Sequence, residues 1–170
     1  IYAHGMYVEE LNTNGSLLTQ AILDEMKAIG CYPLMKISFD GIGHHDWLRN
    51  RKGAEEDALR AIRLCVENGF RVKAQTNVHR LNADSMLPTA KLLSDMGVCE
   101  MRIIRTTESP RWVQNAGDAC LTPEEYFIEK ETIEISKLEL IKAGLDPKKF
   151  EWKSLEQIKV EQQDSISKFL

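Results

Sequence analysis

Ala54 to Asn68, then Gly69, then Phe70-Arg71-Val72-Lys73-Ala74-Gln75-Thr76-Asn77-Val78: in these residues a helical pattern gives way at a glycine to a β-prone run. Ala58, Ala61, Ile62 and Cys65 recur at the helical period of about 3.6 and fall on one face. Gly69 suits the left-handed position that follows a helix, where a Cβ would be strained. The same cadence occurs on both sides. Upstream, Ser16 is placed to cap a helix through Leu17, Leu18, Ile22, Leu23 and Met26. That helix ends near Gly30, and Pro33 leads into Leu34-Met35-Lys36-Ile37-Ser38-Phe39. Downstream, a helix over Ala83 to Met96 stops at Gly97 and hands over to a strand from Cys99 to Ile104. Met6 to Leu11 reads as one further strand.

Four strands joined by three helical crossovers imply a parallel sheet. Four strands cannot close a barrel, which takes about eight in the full form. An open doubly wound sheet is the alternative. The abrupt first strand and an opening Ile1 in place of Met favour a segment of a larger α/β barrel. The expected fold is therefore α/β: parallel βα units forming part of a barrel, with one or two extra C-terminal helices. Residues 1–121 are expected to form the partial barrel and 122–170 a helical segment. Thr122-Pro123-Glu124-Glu125 opens that segment with a capping threonine and a proline at the first helical position. The helix should run to Ala143 before Gly144, with a marginal helix after Trp152. Thr106 to Leu121 reads as a long loop, which in a compact domain calls for a function.

With 170 residues, 43% hydrophobic and 28% charged, the chain can bury a core. A formal charge of −4 without a basic stripe argues against a nucleic-acid partner. No apolar run reaches the roughly 18–20 residues of a membrane span. Cys31, Cys65, Cys99 and Cys120 are widely spaced with no CxxC pair, so a reducing, cytoplasmic setting is expected.

The polar residues gather where a parallel fold builds its sites, at the carboxyl ends of strands. These are Asn12-Thr13-Asn14-Gly15, Ser38-Phe39-Asp40-Gly41, Thr76-Asn77-Val78-His79-Arg80 and Arg105-Thr106-Thr107-Glu108. Turn-making and capping explain any one of them; four along one rim suggest a ligand cleft. His44-His45-Asp46 carries metal-ligand types, but three consecutive side chains diverge, so structural or capping roles fit better and no metal site is assigned. Gly41 and Gly43 are only a fragment of a phosphate loop, and no nucleophile turn appears. Arg49 can grip a carboxylate. Arg105, in an otherwise apolar strand, needs a partner or a ligand. Trp112 could wall a pocket or pin the long loop.

From about Leu11 to Tyr126 the sequence resembles the radical S-adenosylmethionine enzymes of the branch with auxiliary iron–sulfur clusters, the SPASM type. The residues carrying the resemblance are Thr13-Asn14-Gly15-Ser16-Leu17-Leu18, Ile37-Ser38-Phe39-Asp40-Gly41 with His45-Asp46 and Arg49, Gly53, Asn77 and Asn82, and Leu121-Thr122-Pro123-Glu124-Glu125-Tyr126. The resemblance implies a partial (β/α)6 barrel, of which this chain corresponds to the third to sixth strands. It implies cofactor contacts at Ser38 and Arg49, with Thr13, Asp40, Asn77, Thr106 and Thr107 on the same lip. Arg105, Glu108 and Trp112 fall on the substrate side. The implied cofactors are S-adenosylmethionine and a 4Fe–4S cluster, and the implied activity is reductive cleavage of the first with hydrogen abstraction from a substrate such as a peptide or protein. The CxxxCxxC loop that holds the cluster is not in this sequence, so the segment by itself is expected to be inactive. A non-catalytic α/β module, associating with itself through an exposed sheet edge, is the competing expectation.

Overall fold

The computed structural model describes residues 4–106, 114, 116–117, 119–122, 125, 141, 144, 146 and 150–152. Its elements are β1 (Glu10–Thr13), α1 (Gln20–Ala28), β2 (Leu34–Ser38), α2 (His45–Arg49), α3 (Ala54–Glu67), β3 (Val72–Val78), a 3-10 turn (Ala83–Ser85), α4 (Met86–Asp95), β4 (Glu100–Arg105) and β5 (Phe150–Trp152). All five strands run parallel, and their spatial order is their chain order. That order separates the two expected architectures. A doubly wound sheet reverses direction at a switch point, whereas a barrel wall winds one way. This sheet is part of a barrel wall.

Three of the helices end alike. After α1, α3 and α4, Gly30, Gly69 and Gly97 adopt φ of 70°, 79° and 85°. Paired backbone bonds close each end: Cys31 N to Met26 O with Gly30 N to Lys27 O, Phe70 N to Cys65 O with Gly69 N to Val66 O, and Val98 N to Leu93 O with Gly97 N to Ser94 O. These are Schellman closures, which satisfy the last carbonyls and turn the chain back toward the sheet.

Under the helices lies the core. Met35, Ile37 and Phe39 of the β2 run, Val72 and Ala74 of β3, and Met101 and Ile103 of β4 pack with Leu23, Ala58, Ala61, Ile62, Cys65, Ala90 and Leu93. Strand alternation places all these β residues on one face. Gly15 lies against α3 so closely that a Cβ would sit 2.5 Å from the Ala61 side chain, which fixes the loop after β1 on that helix.

The differences from the sequence expectation have local causes. Ser16 does not cap α1; it bonds Asn14 in a turn, and Thr19 supplies the cap through Oγ1 to Ile22 N. β1 begins at Glu10 rather than Met6. The third helical stretch starts as a 3-10 turn at Ala83. The short α2 was not foreseen, nor was β5, which joins β4 so that the sheet continues past residue 121, into the segment expected to be helical. Trp152, expected to open a marginal helix, closes that strand. Of the helix expected from Thr122, Glu125 and Ile141 are described and both are helical. Its cap is reciprocal: Glu125 N donates to Thr122 Oγ1 at 3.1 Å and Thr122 N to Glu125 Oε2 at 2.8 Å, a capping box. No helix among the described residues is long and apolar enough to cross a membrane.

Candidate functional site

The face of the sheet away from the helices is polar. Register sets Asn12 beside Lys36, Lys36 beside Lys73, and Lys73 beside Glu100; one step toward the carboxyl ends, Ser38 partners Gln75 and Gln75 partners Arg102. The next step pairs Asn77 with Ile104. Lys36 Nζ lies 2.7 Å from Glu10 Oε2, and Lys73 pairs with Glu100. The hydrogen bond from Lys36 holds the Glu10 carboxyl below the usual carboxylate range. A closed barrel fills this space with bulky aliphatic side chains. Hydrogen-bonding groups at most of these positions instead mark a surface that meets water or a polar ligand.

At the carboxyl rim of that face the side chains converge on Asp40, which is fully buried. Its Oδ1 accepts from the Asn77 backbone N at 3.0 Å and from Asn77 Nδ2 at 3.2 Å. Its Oδ2 meets His45 Nδ1 at 2.9 Å and Arg49 Nη2 at 2.8 Å. Asn82 Nδ2 donates to the Asp40 carbonyl at 2.6 Å and to that of Asn77 at 2.9 Å, while Asn82 Oδ1 accepts from His79 N at 2.8 Å. Burial alone raises the carboxyl's pKa, but the His45 hydrogen bond, the Arg49 charge and the Asn77 amide together outweigh it and leave the pKa lowered. α2 exists to present these groups: it carries His45 and Arg49 one turn apart, and Asn50 ends it in a left-handed conformation at φ 47°.

The four rim positions Thr13, Ser38, Asn77 and Thr106 stand at the same edge of the sheet, because every strand points the same way. Their side chains do not all face the same side. Ser38 is on the polar face, and its hydroxyl has no hydrogen bond to the described residues. Asn77 is on that face but engaged by Asp40. Thr106 extends the ladder through its N to Val78 O at 3.0 Å, and its buried hydroxyl has no hydrogen bond to a described residue. Thr13 shares its register with Ile37, on the helix-covered face, and its Oγ1 accepts from Gly15 N. Asn12 takes the polar side in its place. Arg49 is a third exposed and bonds no described residue other than Asp40.

Arg105 is a correction. Expected on the substrate side, it lies one residue out of phase, on the face of Met101 and Ile103, and its Nη1 donates to the Leu121 carbonyl at 2.8 Å. Together with the Arg80 backbone N on the Ala119 carbonyl and the Arg80 side chain on Glu125, it ties Ala119, Leu121 and Glu125 to the ends of β3 and β4. Thr107, Glu108 and Trp112 lie outside the described residues. Of the three consecutive ligand types, His45 serves Asp40 and Asp46 caps α3 by accepting from Gly53 N and Glu55 N, each at 2.7 Å. Lys36, Lys73 and Gln75 were not among the expected site residues, although they alternate with apolar residues in the runs Leu34 to Phe39 and Phe70 to Val78.

No protein-family model matches the chain. It is 30% identical over 109 residues to the pre-heme d1 synthase of Dinoroseobacter shibae, an alignment covering 64% of this chain and 27% of that protein. It is 33% identical over 89 residues to the AdoMet-dependent heme synthase of Methanosarcina barkeri, covering 51% and 25%. The chain thus spans about a quarter of the length of these curated relatives. In fold it is similar to anSMEcpe, solved with bound AdoMet and a peptide, at a TM-score of 0.64 and 15% identity over 81% of this chain and 39% of that one. SuiB of Streptococcus suis, solved with its precursor peptide SuiA, gives 0.63 at 9% identity over 86% and 32%.

The chain resembles radical S-adenosylmethionine enzymes in sequence and in fold. The two cofactors of radical S-adenosylmethionine enzymes fare differently against the residues present. An amino-acid carboxylate and a ribose fit a rim with an available serine hydroxyl and a guanidinium only partly used. A 4Fe–4S cluster does not fit: it needs thiolates held close together. Cys31 and Cys99 precede β2 and β4 on the opposite rim and Cys65 is inside α3, and no group of three or more His, Cys, Asp or Glu gathers to hold a metal among the described residues.

Proposed function

We propose that these residues form the S-adenosylmethionine-binding lip of a larger S-adenosylmethionine-dependent oxidoreductase or maturase. The observation that carries this reading is Arg49, held at its inner side by buried Asp40 and left exposed at the carboxyl rim beside a polar strand face that includes Ser38. Its guanidinium is suited to the methionyl carboxylate through charge-assisted bonds, and the Ser38 hydroxyl to a ribose or amino-acid group. Asn12, Gln75, Asn77 and Thr106 complete the lip. When bound, the cofactor supplies the sulfonium on which the chemistry of this enzyme type depends.

The substrate is a peptide or protein side chain on the fold-based reading, since anSMEcpe and SuiB were solved with peptides. A second reading, a tetrapyrrole, is favoured by the names and higher identity of the sequence relatives. Titrating the protein, expressed from its full reading frame, with each substrate class separates the two. By themselves these 170 residues are proposed not to turn over, and to associate through the β1 edge of the sheet.

The decisive experiment is equilibrium binding of S-adenosylmethionine to that protein with Arg49→Ala. Loss of a charge-assisted contact predicts affinity weaker by roughly ten- to a hundred-fold. Unchanged affinity removes Arg49 from the site and the reading with it.

A further inference from the structure

We infer that Asp40 is a positioning residue that holds Arg49 ready for a ligand carboxylate and touches no ligand itself. The inference rests on the reading of Arg49 given above. A carboxylate offers about four acceptor sites, and the protein occupies all of them on Asp40: two N–H groups of Asn77 on Oδ1, His45 and Arg49 on Oδ2. With none of its surface exposed, Asp40 has neither a lone pair nor a path for a bound molecule. Its backbone carbonyl is fixed as well, by Asn82. The residue is therefore joined to the end of β2, to α2, to the end of β3 and to the turn after β3.

Arg49 stands in contrast. It sits on a helix of five residues followed by a left-handed turn, a third exposed, and Asp40 is its sole ionic partner among the described residues. A long side chain on so short an element would otherwise sample many rotamers, and ordering them on binding costs affinity. An arginine carries five donors in a planar fork. Asp40 engages one side of the fork, which leaves the remaining donors fixed in direction toward the rim. Specificity for a carboxylate then comes from a charge placed before the ligand arrives.

The test uses the protein expressed from its full reading frame, with S-adenosylmethionine and decarboxylated S-adenosylmethionine as probes. Asp40→Asn is expected to weaken S-adenosylmethionine by roughly five- to thirty-fold, to leave the decarboxylated analogue within about twofold, and to add nothing to Arg49→Ala in the double variant. Equal loss for both probes, or additive losses in the double variant, overturns the inference while a carboxylate-selective loss in Arg49→Ala keeps the binding reading intact. No loss in Arg49→Ala overturns both. His45→Gln, which removes the imidazole from Oδ2 but leaves the Asp40–Arg49 pair, provides a second arm should Asp40→Asn not fold. A smaller carboxylate-selective loss supports the inference, and an unselective one contradicts it.

Discussion

The two faces of one sheet differ as completely as inside and outside. Toward the helices, Met35, Ile37, Val72, Ala74, Met101 and Ile103 are sealed from water; one residue along each strand, Lys36, Ser38, Lys73, Gln75 and Arg102 face the other way. Because a strand alternates at every residue, both faces are written into the same short runs of sequence. The apolar half carries the stability of the fold. The polar half leaves it a surface to use. Asp40 belongs to both: its neighbour Phe39 is fully buried in the core, while its own carboxylate reaches Arg49 at the rim.

Substitutions on the two faces should separate accordingly. On the sealed face, Phe39→Ala should cost about 3–5 kcal/mol in chemical denaturation, with the ring it packs against, His45, losing a neighbour. A loss under about 1 kcal/mol would mean the helix-covered face is not the core. At the rim, Arg49→Ala should cost about 1.5–3 kcal/mol of S-adenosylmethionine affinity in a binding titration. Acid should act through Asp40. Its folded-state pKa is lowered, so the stability it contributes is complete above the unfolded carboxyl's pKa of about 4 and is lost as pH falls through the folded value. Denaturation midpoints taken between neutral pH and about pH 3 should therefore fall less steeply for Asp40→Asn than for the unaltered protein. Smallest of all, Lys36→Met on the polar face should change stability by less than about 1 kcal/mol, since its partner Glu10 is largely exposed.

What was legible in the sequence was whatever the local chain determines. Three helix-closing glycines, the one-sided pattern of α3 and the β-prone run after Gly69 each report a short-range rule, and together they give the parallel βα repeat. Short-range rules also explain the slips. A five-residue helix such as α2 has too little length for a period, and a three-residue strand such as β5 too little for alternation. Ser16 looks like a cap until Asn14 claims it. The misplacement of Arg105 was a matter of parity, as one residue separates the two faces. The alternation of Lys36, Ser38, Lys73, Gln75 and Asn77 did announce a polar face, since a parallel sheet buried on both sides reads as nearly continuous apolar residues. The Asp40 cluster was beyond such rules. Asn77 and Asn82 reach it across 37 and 42 residues of chain, and only the sheet register brings them together.

The central claim is that ligand meets the protein at the carboxyl rim of the polar face. Backbone amide chemical shifts, recorded during titration with S-adenosylmethionine, test it most directly. The account predicts perturbations at Asn12, Ser38, Arg49, Gln75, Asn77 and Thr106, with little change at Cys31, Phe70 and Val98 on the opposite rim. Saturable shifts centred on Cys31, Phe70 and Val98, with the first group silent, would contradict it.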